Sequence, residues 1–245
     1  DLCGYDIYRR KAGLPYHGYD LEEEAKEAIA QIQGSTMVSL EKLIPLYQQV
    51  VFCERAGIAG AFVECGVWKG GCVGLMALAN LRHGAAPRQL HLFDSFEGIP
   101  EPDANVDGQA AVDFALQAGG KADGQLVPLK DQYGGVGTLE SCRELIEVKL
   151  KYPSEQITYH KGWFQDTLPK NTVGPIAILR LDGDWYESTK VCLDHLYDKV
   201  VSGGFVIVDD YGAYEGCRKA VDEFLETRPV YLHHLDRWGR YWMKP

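Results

Sequence analysis

Two segments of the sequence place aspartates directly after an apolar, strand-like run. Asp182 and Asp184 follow the run IAILRL, and Asp209 and Asp210 follow the run GGFVIV. Burying an unpaired carboxylate is unfavourable, so this repeated placement needs a physical reason. If the two strands are neighbours, their backbones lie about 4.8 Å apart and the carboxylates can converge. Clustered carboxylates repel one another unless a hard cation neutralises them, which predicts a site for Mg²⁺ or a similar divalent ion.

A divalent cation at this position would support chemistry on a hydroxyl group. Coordination to a metal can lower the pKa of water from about 15.7 to about 7, and an alcohol bound in the same way would be activated similarly. A nearby carboxylate can then accept the proton, and Asp184, two residues beyond Asp182 in a loop, is the candidate base. The alternative is that the four aspartates are solvated strand-end acids that cap helices.

The segment VECGVWKGG ends another strand-like run with glycines suited to a strand-to-helix turn. Gly66, Gly70 and Gly71 permit positive φ and close approach of a ligand to the backbone, and Glu64 can accept hydrogen bonds from an ammonium or hydroxyl group. The spacing is not the G-x-G-x-x-G of dinucleotide-binding proteins, and an acid ahead of the first glycine disfavours a pyrophosphate. A purely structural turn is the open alternative.

Asp94 ends the next strand-like run, in the segment LFDSFEGIP. Folds of the α/β class commonly hold a ribose through its hydroxyl groups at this place, although Asp94 could instead cap a helix that begins at Ser95. Taken together, Glu64 and Asp94 suggest a nucleoside-bearing ligand without phosphates. S-adenosylmethionine has that chemistry.

These residues are positioned by alternating strand and helix patterns. The alternation predicts one α/β domain over residues 1–245, with a doubly wound, mostly parallel sheet of seven strands. Only a hairpin-length segment separates the last two strands, so the final strand should run antiparallel. The predicted strands are GAFVEC (60–65), RQLHLFD (88–94), EQITYH (155–160), PIAILRLD (175–182), GGFVIVDD (203–210), VYLHHL (230–235) and RYWMK (240–244).

Two regions lie outside this alternation. Residues 1–55 form a predicted N-terminal helical segment, with an acidic helix that ends at Gly34 and a second helix capped by Ser39, in which Pro45 lies near the first turns or at a kink. Residues 97–137 are rich in Gly, Asp and Pro, and QAAVDFALQAGG is the helical pattern within them. Because a loop of this length directly follows a strand end, we predict a functional lid.

Composition excludes several classes of partner. The 25 Lys and Arg against 35 Asp and Glu give a formal charge of −10, which would repel a nucleic-acid backbone, and no apolar run is long enough to span a membrane. The seven cysteines are scattered without C-x-x-C spacing, and the opening DLCGYDIYRR lacks an apolar core, so we expect reduced thiols in a cytoplasmic protein. We also expect a homo-oligomer and a small-molecule partner.

Several segments occur in the same order as in the macrocin O-methyltransferase (TylF-like) family, which this sequence resembles from about residue 36 to its C-terminus. They are TMVSLEKL, VECGVWKGG, LFDSFEGIP, HKGWFQDTLP, AILRLDGDWYESTKVCLDHLYDKVVSGGFVIVDDYG and CRKAVDEF. The resemblance implies a Rossmann-like class I methyltransferase that uses S-adenosylmethionine and Mg²⁺, or another divalent cation. It also implies that the acceptor is a hydroxyl group, typically on a deoxysugar of a natural product.

The resemblance also implies roles for individual residues. Asp182, Asp209 and Asp210 match the metal ligands, and Asp184 matches the base. The positions that match the cofactor site are Glu64, Gly66, Asp94 and Ser95, together with Trp163 near the adenine, Thr36 and Met37 near the methionine portion, and Thr138 and Leu139 where the family usually has Ser-Leu.

The acceptor is the part of the resemblance that transfers least. The region from Gln109 to Gly137 looks longer and more glycine-rich than the usual lid of the family, and the first 35 residues match poorly. A sugar is therefore the leading expectation for the acceptor. Two alternatives remain at this point: a metal-dependent glycosyltransferase that uses Asp182-Gly183-Asp184 as a D-x-D motif, and a non-catalytic binding protein that retains the fold.

Overall fold

The structure, a computed structural model, describes residues 18–119 and 126–245. Its helices are α1 (Glu22–Ile32), α2 (Leu40–Arg55), α3 (Gly71–His83), α4 (Gln109–Ala118), α5 (Leu139–Arg143), α6 (Phe164–Thr167), α7 (Tyr186–Leu196) and α8 (Glu215–Leu225). Its strands are β1 (Ala61–Cys65), β2 (Leu90–Asp94), β3 (Ile99–Pro100), β4 (Leu126–Val127), β5 (Ile157–Lys161), β6 (Ile176–Leu181), β7 (Val200–Val208), β8 (His233–His234) and β9 (Arg240–Met243).

The main sheet has seven strands in the order β5-β2-β1-β6-β7-β9-β8. The strands from β5 to β7 pair in parallel, whereas β9 runs antiparallel to both β7 and β8. This confirms the predicted α/β sheet with its antiparallel final strand. The chain adds strands to one side of β1 and then crosses over to β6 on the other side. The carboxyl ends of β1 and β6 therefore form the crevice at which such sheets bind ligands.

Alternate side chains of the central strands enter two separate cores. On one face, Phe62 and Ile178 belong to a cluster shared with α1, α2 and α3. On the other face, Val63 and Leu179 belong to a cluster shared with α7 and α8. Because both faces of β1 and β6 are covered, these strands are buried along their whole length, which explains why their residues are apolar except for Glu64 and Arg180.

The N-terminal helices follow the predicted pattern within the described residues. Helix α1 ends shortly before Gly34, and α2 begins directly after Ser39. The Ser39 side chain makes no capping hydrogen bond, and its backbone oxygen instead accepts from the amide nitrogens of Lys42 and Leu43. Pro45 lies six residues into α2. The part of the predicted helical segment from residue 1 to 17 lies outside the described residues.

The predicted lid segment contains regular structure. The predicted helical pattern becomes α4, and β3 pairs antiparallel with β4 outside the main sheet. The predicted strand at 230–235 is shorter in the structure, where β8 contains His233 and His234 alone.

The structure also bears on the cysteines and on membrane insertion. All the cysteines in the described residues are buried and free, as predicted, and Cys3 lies outside the described residues. No helix within residues 18–119 and 126–245 has the length and apolar character needed to cross a bilayer.

Candidate active site

The centre of the site is a buried arginine that sequence reasoning missed. Arg180 lies on β6, is 2% exposed, and donates from Nη1 to Glu64 Oε1 at 2.5 Å and to Asp182 Oδ2 at 2.8 Å. Its Nη2 donates to Asp209 Oδ1. A buried guanidinium needs such partners, and three carboxylates provide them. The available sequence signal was the single charged residue inside the apolar run IAILRL.

The carboxylate of Asp209 is paired with two cations. In addition to Arg180, Lys42 from α2 donates from Nζ to Asp209 Oδ2 at 2.5 Å and to the Asp209 backbone oxygen at 3.1 Å. Both carboxylate oxygens therefore have a cationic partner. The predicted ligand set of Asp182, Asp209 and Asp210 stays a prediction; Asp209 pairs with Arg180 and Lys42 in the structure and is not among the carboxylates that converge on one point.

The carboxylates that converge are those of Asp182, Asp184 and Asp210. One oxygen from each lies within 4.8 Å of the others. Asp210 Oδ2 is buried without a hydrogen-bond partner among the described residues. Asp184 adopts a left-handed backbone conformation, with φ of 59°. Three converging carboxylates fit the preference of Mg²⁺ for oxygen ligands, and the unpartnered Asp210 Oδ2 is free to ligate such a cation.

The environment of this cluster favours protonation. Burial, followed by the negative charges of neighbouring aspartates, raises the pKa of both Asp184 and Asp210 well above the ordinary value. Burial also raises the pKa of Glu64 to about 8, with the charge of Arg180 acting in the opposite direction. A cation among the aspartates would relieve their mutual repulsion.

A cavity of about 170 Å³ opens over the carboxyl ends of the central strands. Among the predicted site residues, those that line it are Met37, Gly66, Asp94, Ser95, Trp163, Asp182 and Asp184. The predicted lid supplies much of the remaining wall through Ile99, Pro100, Phe114, Leu126, Leu129, Val136 and Gly137. The structure therefore brings the strand-end acids and the apolar lid segment together around one space.

Asp94 holds the glycine turn in place. Its Oδ2 accepts from the backbone nitrogens of Val67 at 2.6 Å and Trp68 at 3.1 Å, and its Oδ1 accepts from the nitrogen of Phe96 at 2.6 Å. Burial raises its pKa, while these hydrogen bonds act in the opposite direction. No helix begins at Ser95, so the helix-capping alternative is wrong.

The glycine turn requires its glycines for steric reasons. Gly66 has φ of 87°, and a Cβ atom there would lie 1.8 Å from the backbone oxygen of Asp182. Gly71 donates from its nitrogen to the Ser35 oxygen at 3.0 Å, and a Cβ on Gly71 would lie 2.6 Å from Cβ of Thr36. The turn therefore joins the ends of β1 and β6 to the segment before α2.

Four predicted cofactor residues do not line the cavity. Glu64 is buried below it, with Oε2 unpartnered among the described residues. Thr36 packs against the glycine turn. Thr138 caps α5 by accepting from the Ser141 nitrogen at 3.1 Å, and Leu139 begins that helix, whereas the adjacent Gly137 lines the cavity.

The strand order, the glycine turn after β1 and the acid after β2 define a class I methyltransferase fold. Structural similarity agrees with this class: the O-methyltransferase NovP matches with a TM-score of 0.72 and 33% identity, over 86% of this chain and 82% of NovP. The chain belongs to the macrocin-O-methyltransferase (TylF) family, whose family model matches residues 14–119 and 139–244.

Individual relatives have similar descriptions. Demethyldecarbamoylnovobiocin O-methyltransferase of Streptomyces niveus is 36% identical over 212 residues, which cover 85% of this chain and 75% of the relative. The 8-demethyl-8-(2,3-dimethoxy-alpha-L-rhamnosyl)-tetracenomycin-C 4'-O-methyltransferase of Streptomyces olivaceus is 35% identical over 210 residues, covering 84% and 74%. The chain is accordingly an O-methyltransferase, which argues against the glycosyltransferase and non-catalytic alternatives.

Proposed function

We propose that this enzyme transfers the methyl group of S-adenosylmethionine to a hydroxyl group on a sugar of a glycosylated natural product, with the help of a divalent cation. The observation that carries the proposal is the convergence of the Asp182, Asp184 and Asp210 carboxylates beside a cavity at the switch point of the sheet. The name of the Streptomyces olivaceus relative supports the acceptor class, because it describes O-methylation of a rhamnosyl compound.

The cofactor would occupy the part of the cavity near the first two strand ends. Gly66 permits close approach to the backbone there, and Asp94 and Ser95 present oxygen atoms suited to ribose hydroxyl groups. Trp163 would contact the adenine, and Met37 would lie near the methionine portion. Thr36, Glu64, Thr138 and Leu139 would act from behind the cavity wall, by holding the turn and the start of α5.

Asp182 and Asp210 would hold the cation, with Asp184 beside them. When bound, the cation supplies positive charge that makes an acceptor hydroxyl group more acidic. Asp184 would accept the hydroxyl proton, because its carboxylate lies beside those of Asp182 and Asp210 and lines the cavity. The oxygen would then attack the methyl carbon as its bond to the sulfonium sulfur breaks, so that S-adenosylhomocysteine leaves with the bonding electron pair. The lid segment would exclude water from the sulfonium centre.

Methyl transfer with labelled S-adenosylmethionine tests this proposal directly. Demethyldecarbamoylnovobiocin and the tetracenomycin rhamnoside used by the relatives serve as probe acceptors. We expect transfer to at least one of them, abolished by excess EDTA and restored by Mg²⁺. Undiminished transfer in EDTA would remove the cation from the mechanism, and no transfer to either glycoside would remove this acceptor class.

The Asp184→Asn variant tests the base. We expect kcat to fall by about 10²- to 10⁴-fold, because an amide cannot accept the proton, while binding of S-adenosylhomocysteine stays within about threefold of the wild type. Asp194→Asn, an exposed substitution on α7, serves as the matched control and should keep full activity. Equal kcat values for the two variants would contradict the assignment of Asp184.

A homo-oligomer belongs to the same proposal. Its support is a row of rings beside strand β8. Tyr241 contacts both Phe205 and His233, and His233 contacts Tyr231. Tyr231 is 76% exposed, as expected for a residue that a second subunit would cover. Light scattering at the assay concentration measures the molar mass in solution. A molar mass equal to that of a monomer would refute the proposed homo-oligomer.

A further inference from the structure

We propose that Asp107 is a positioning residue, which fixes the loops of Asp184 and Asp210 by docking the lid segment onto the starts of α7 and α8. The roles of those two aspartates rest on the proposed function above, whereas the docking itself is independent of it. Asp107 lies between β3 and α4, and neither its sequence position nor the family resemblance marked it as a site residue.

Asp107 is buried and uses both carboxylate oxygens. It is 4% exposed, its Oδ1 accepts from the Tyr186 nitrogen at 2.8 Å, and its Oδ2 accepts from the Asp103 nitrogen at 2.8 Å. No ion pair to Asp107 occurs within the described residues. A buried carboxylate is stable only while these amide groups donate to it, because leaving its oxygens without hydrogen bonds would cost free energy. The hydrogen bonds therefore fix the position of Asp107.

Helices α7 and α8 have no side chain of their own that accepts a hydrogen bond at the N-cap. Trp185 and Tyr214 occupy the N-cap positions of α7 and α8, and neither makes a side-chain capping hydrogen bond. Helices usually take Ser, Thr, Asp or Asn at that position. Asp107 therefore caps α7 from a distant part of the chain, and its negative charge lies at the favourable end of the helix dipole.

The start of α8 is shaped to receive the same carboxylate. A Cβ atom on Gly216 would lie 1.9 Å from Asp107 Oδ1 and 2.9 Å from the Tyr186 nitrogen. A Cβ atom on Gly108 would lie 2.8 Å from Glu215 Cδ. The two glycines thus allow the lid segment, α7 and α8 to meet at one point.

Aromatic contacts strengthen this docking. Trp185 is buried and donates from Nε1 to the Pro100 oxygen at 2.8 Å. The Tyr214 ring lies edge-on to Trp185 at 4.8 Å and 6.1 Å from the ring of Phe114 on α4. Both aromatic N-cap residues are therefore in contact with the lid segment.

These same N-cap residues are continuous with the two aspartates. Asp184 directly precedes Trp185, whose nitrogen donates to the Gly183 oxygen at 2.6 Å. The Asp210 backbone oxygen accepts from the nitrogens of Ala213 at 2.9 Å and Tyr214 at 3.2 Å. Undocking the lid would release both turns, and Asp184 would lose support for its left-handed conformation.

Four variants test the inference. Asp107→Ala removes both acceptor oxygens, and Asp107→Asn keeps one, which can still accept from the Tyr186 nitrogen while the acceptor for the Asp103 nitrogen is lost. Asp113→Ala is a matched control because it removes an exposed carboxylate from α4. Gly216→Ala crowds Asp107 from the opposite side without changing any charge. The measurements are exchange of the Tyr186 amide hydrogen, the Kd for Mn²⁺ by titration calorimetry, and Tm.

For Asp107→Ala we expect at least tenfold faster exchange at Tyr186, a Kd for Mn²⁺ raised about tenfold, and a Tm lowered by about 2–4 °C. Asp107→Asn should recover the Mn²⁺ affinity to within about threefold, which a loss of general stability would not explain. Gly216→Ala should show the same changes in exchange, Kd and Tm as Asp107→Ala. Asp113→Ala should match the wild type.

Two outcomes separate this inference from the proposed function. If Asp107→Ala and Asp113→Ala show the same exchange and the same Kd, the inference is wrong while the proposed function stands. If the wild type binds no Mn²⁺, the proposed metal role fails. In that case the rate of amide hydrogen exchange at Tyr186 alone decides whether Asp107 docks the lid segment. An exchange rate in Asp107→Ala equal to that of the wild type would overturn the inference.

Discussion

Arg180 gathers carboxylates from the ends of three neighbouring strands. Glu64 lies near the end of β1, Asp182 comes directly after β6, and Asp209 comes directly after β7. Arg180 therefore neutralises part of the negative charge at this edge of the sheet. Asp182 both pairs with Arg180 and belongs to the cluster formed with Asp184 and Asp210.

The acids of the site could be predicted from sequence, but the cations that pair with them could not. Asp182, Asp184 and Asp210 could be recognised because each follows an apolar, strand-like run, where a carboxylate is unusual. The pairing of Asp209 with Lys42 was not visible, because the two are 167 positions apart and no local pattern links α2 to the end of β7.

Replacing Lys42 tests the importance of that pairing. In Lys42→Met, Asp209 Oδ2 loses its cation in a buried place, and we expect the free energy of unfolding to fall by about 3 kcal/mol. Lys190→Met breaks an exposed pair with Asp194 and should change it by less than about 0.5 kcal/mol. Urea denaturation measures both values. A loss for Lys42→Met as small as that of the control would show that Arg180 alone satisfies Asp209.

At the scale of elements, strands β2 and β5 bring together two histidines. His91 Nδ1 lies 3.1 Å from His160 Nε2, and the ring of His160 stacks on Phe93 with a centroid distance of 3.9 Å. Burial lowers the pKa of His91 to about 4, assisted by the nearby charges of His160 and Lys199. The sequence predicted both strands, yet it could not show that their register aligns these rings.

The His91 environment predicts a specific acid sensitivity. Below about pH 6.5 the unfolded chain binds a proton that folded His91 does not bind until about pH 4. Stability is therefore lost as the pH falls through this window, by at most about 3 kcal/mol. In His91→Gln, the free energy of unfolding measured from pH 7 to 4 should fall less steeply. His195→Gln, at an exposed position of α7, should keep the wild-type dependence, and equal slopes for all three proteins would refute the prediction.

At the scale of the whole molecule, the alternation of strands and helices was enough to predict the sheet. Each central strand is covered on both faces, so its residues are almost all apolar and the strand was easily recognised, although β1 contains Glu64 and β6 contains Arg180. The position of the lid segment in the chain could be predicted, but its strands could not, because β3 and β4 are each two residues long and depend on tertiary contacts. The capping of α7 by Asp107 was equally invisible to local patterns.

Ligand binding should stabilise the whole domain. S-adenosylhomocysteine at about 100 times its Kd would add about 2.7 kcal/mol to the free energy of unfolding. For a domain of this size we expect Tm to rise by about 5–10 °C in a thermal scan. UDP at the same concentration is the control and should leave Tm unchanged. A shift with UDP but not with S-adenosylhomocysteine would contradict the proposed cofactor.

The apolar wall of the cavity has a consequence for redesign. Ile99, Phe114, Leu126 and Leu129 all belong to one continuous stretch of chain, whereas the carboxylates lie in the segments that directly follow β6 and β7. Exchanging that stretch for its counterpart from a related enzyme could retarget the reaction to new glycosides while leaving the chemistry untouched. Such chimaeras should carry Asp107 with the transplanted stretch, since an imported loop that cannot dock would leave the catalyst intact but misaligned.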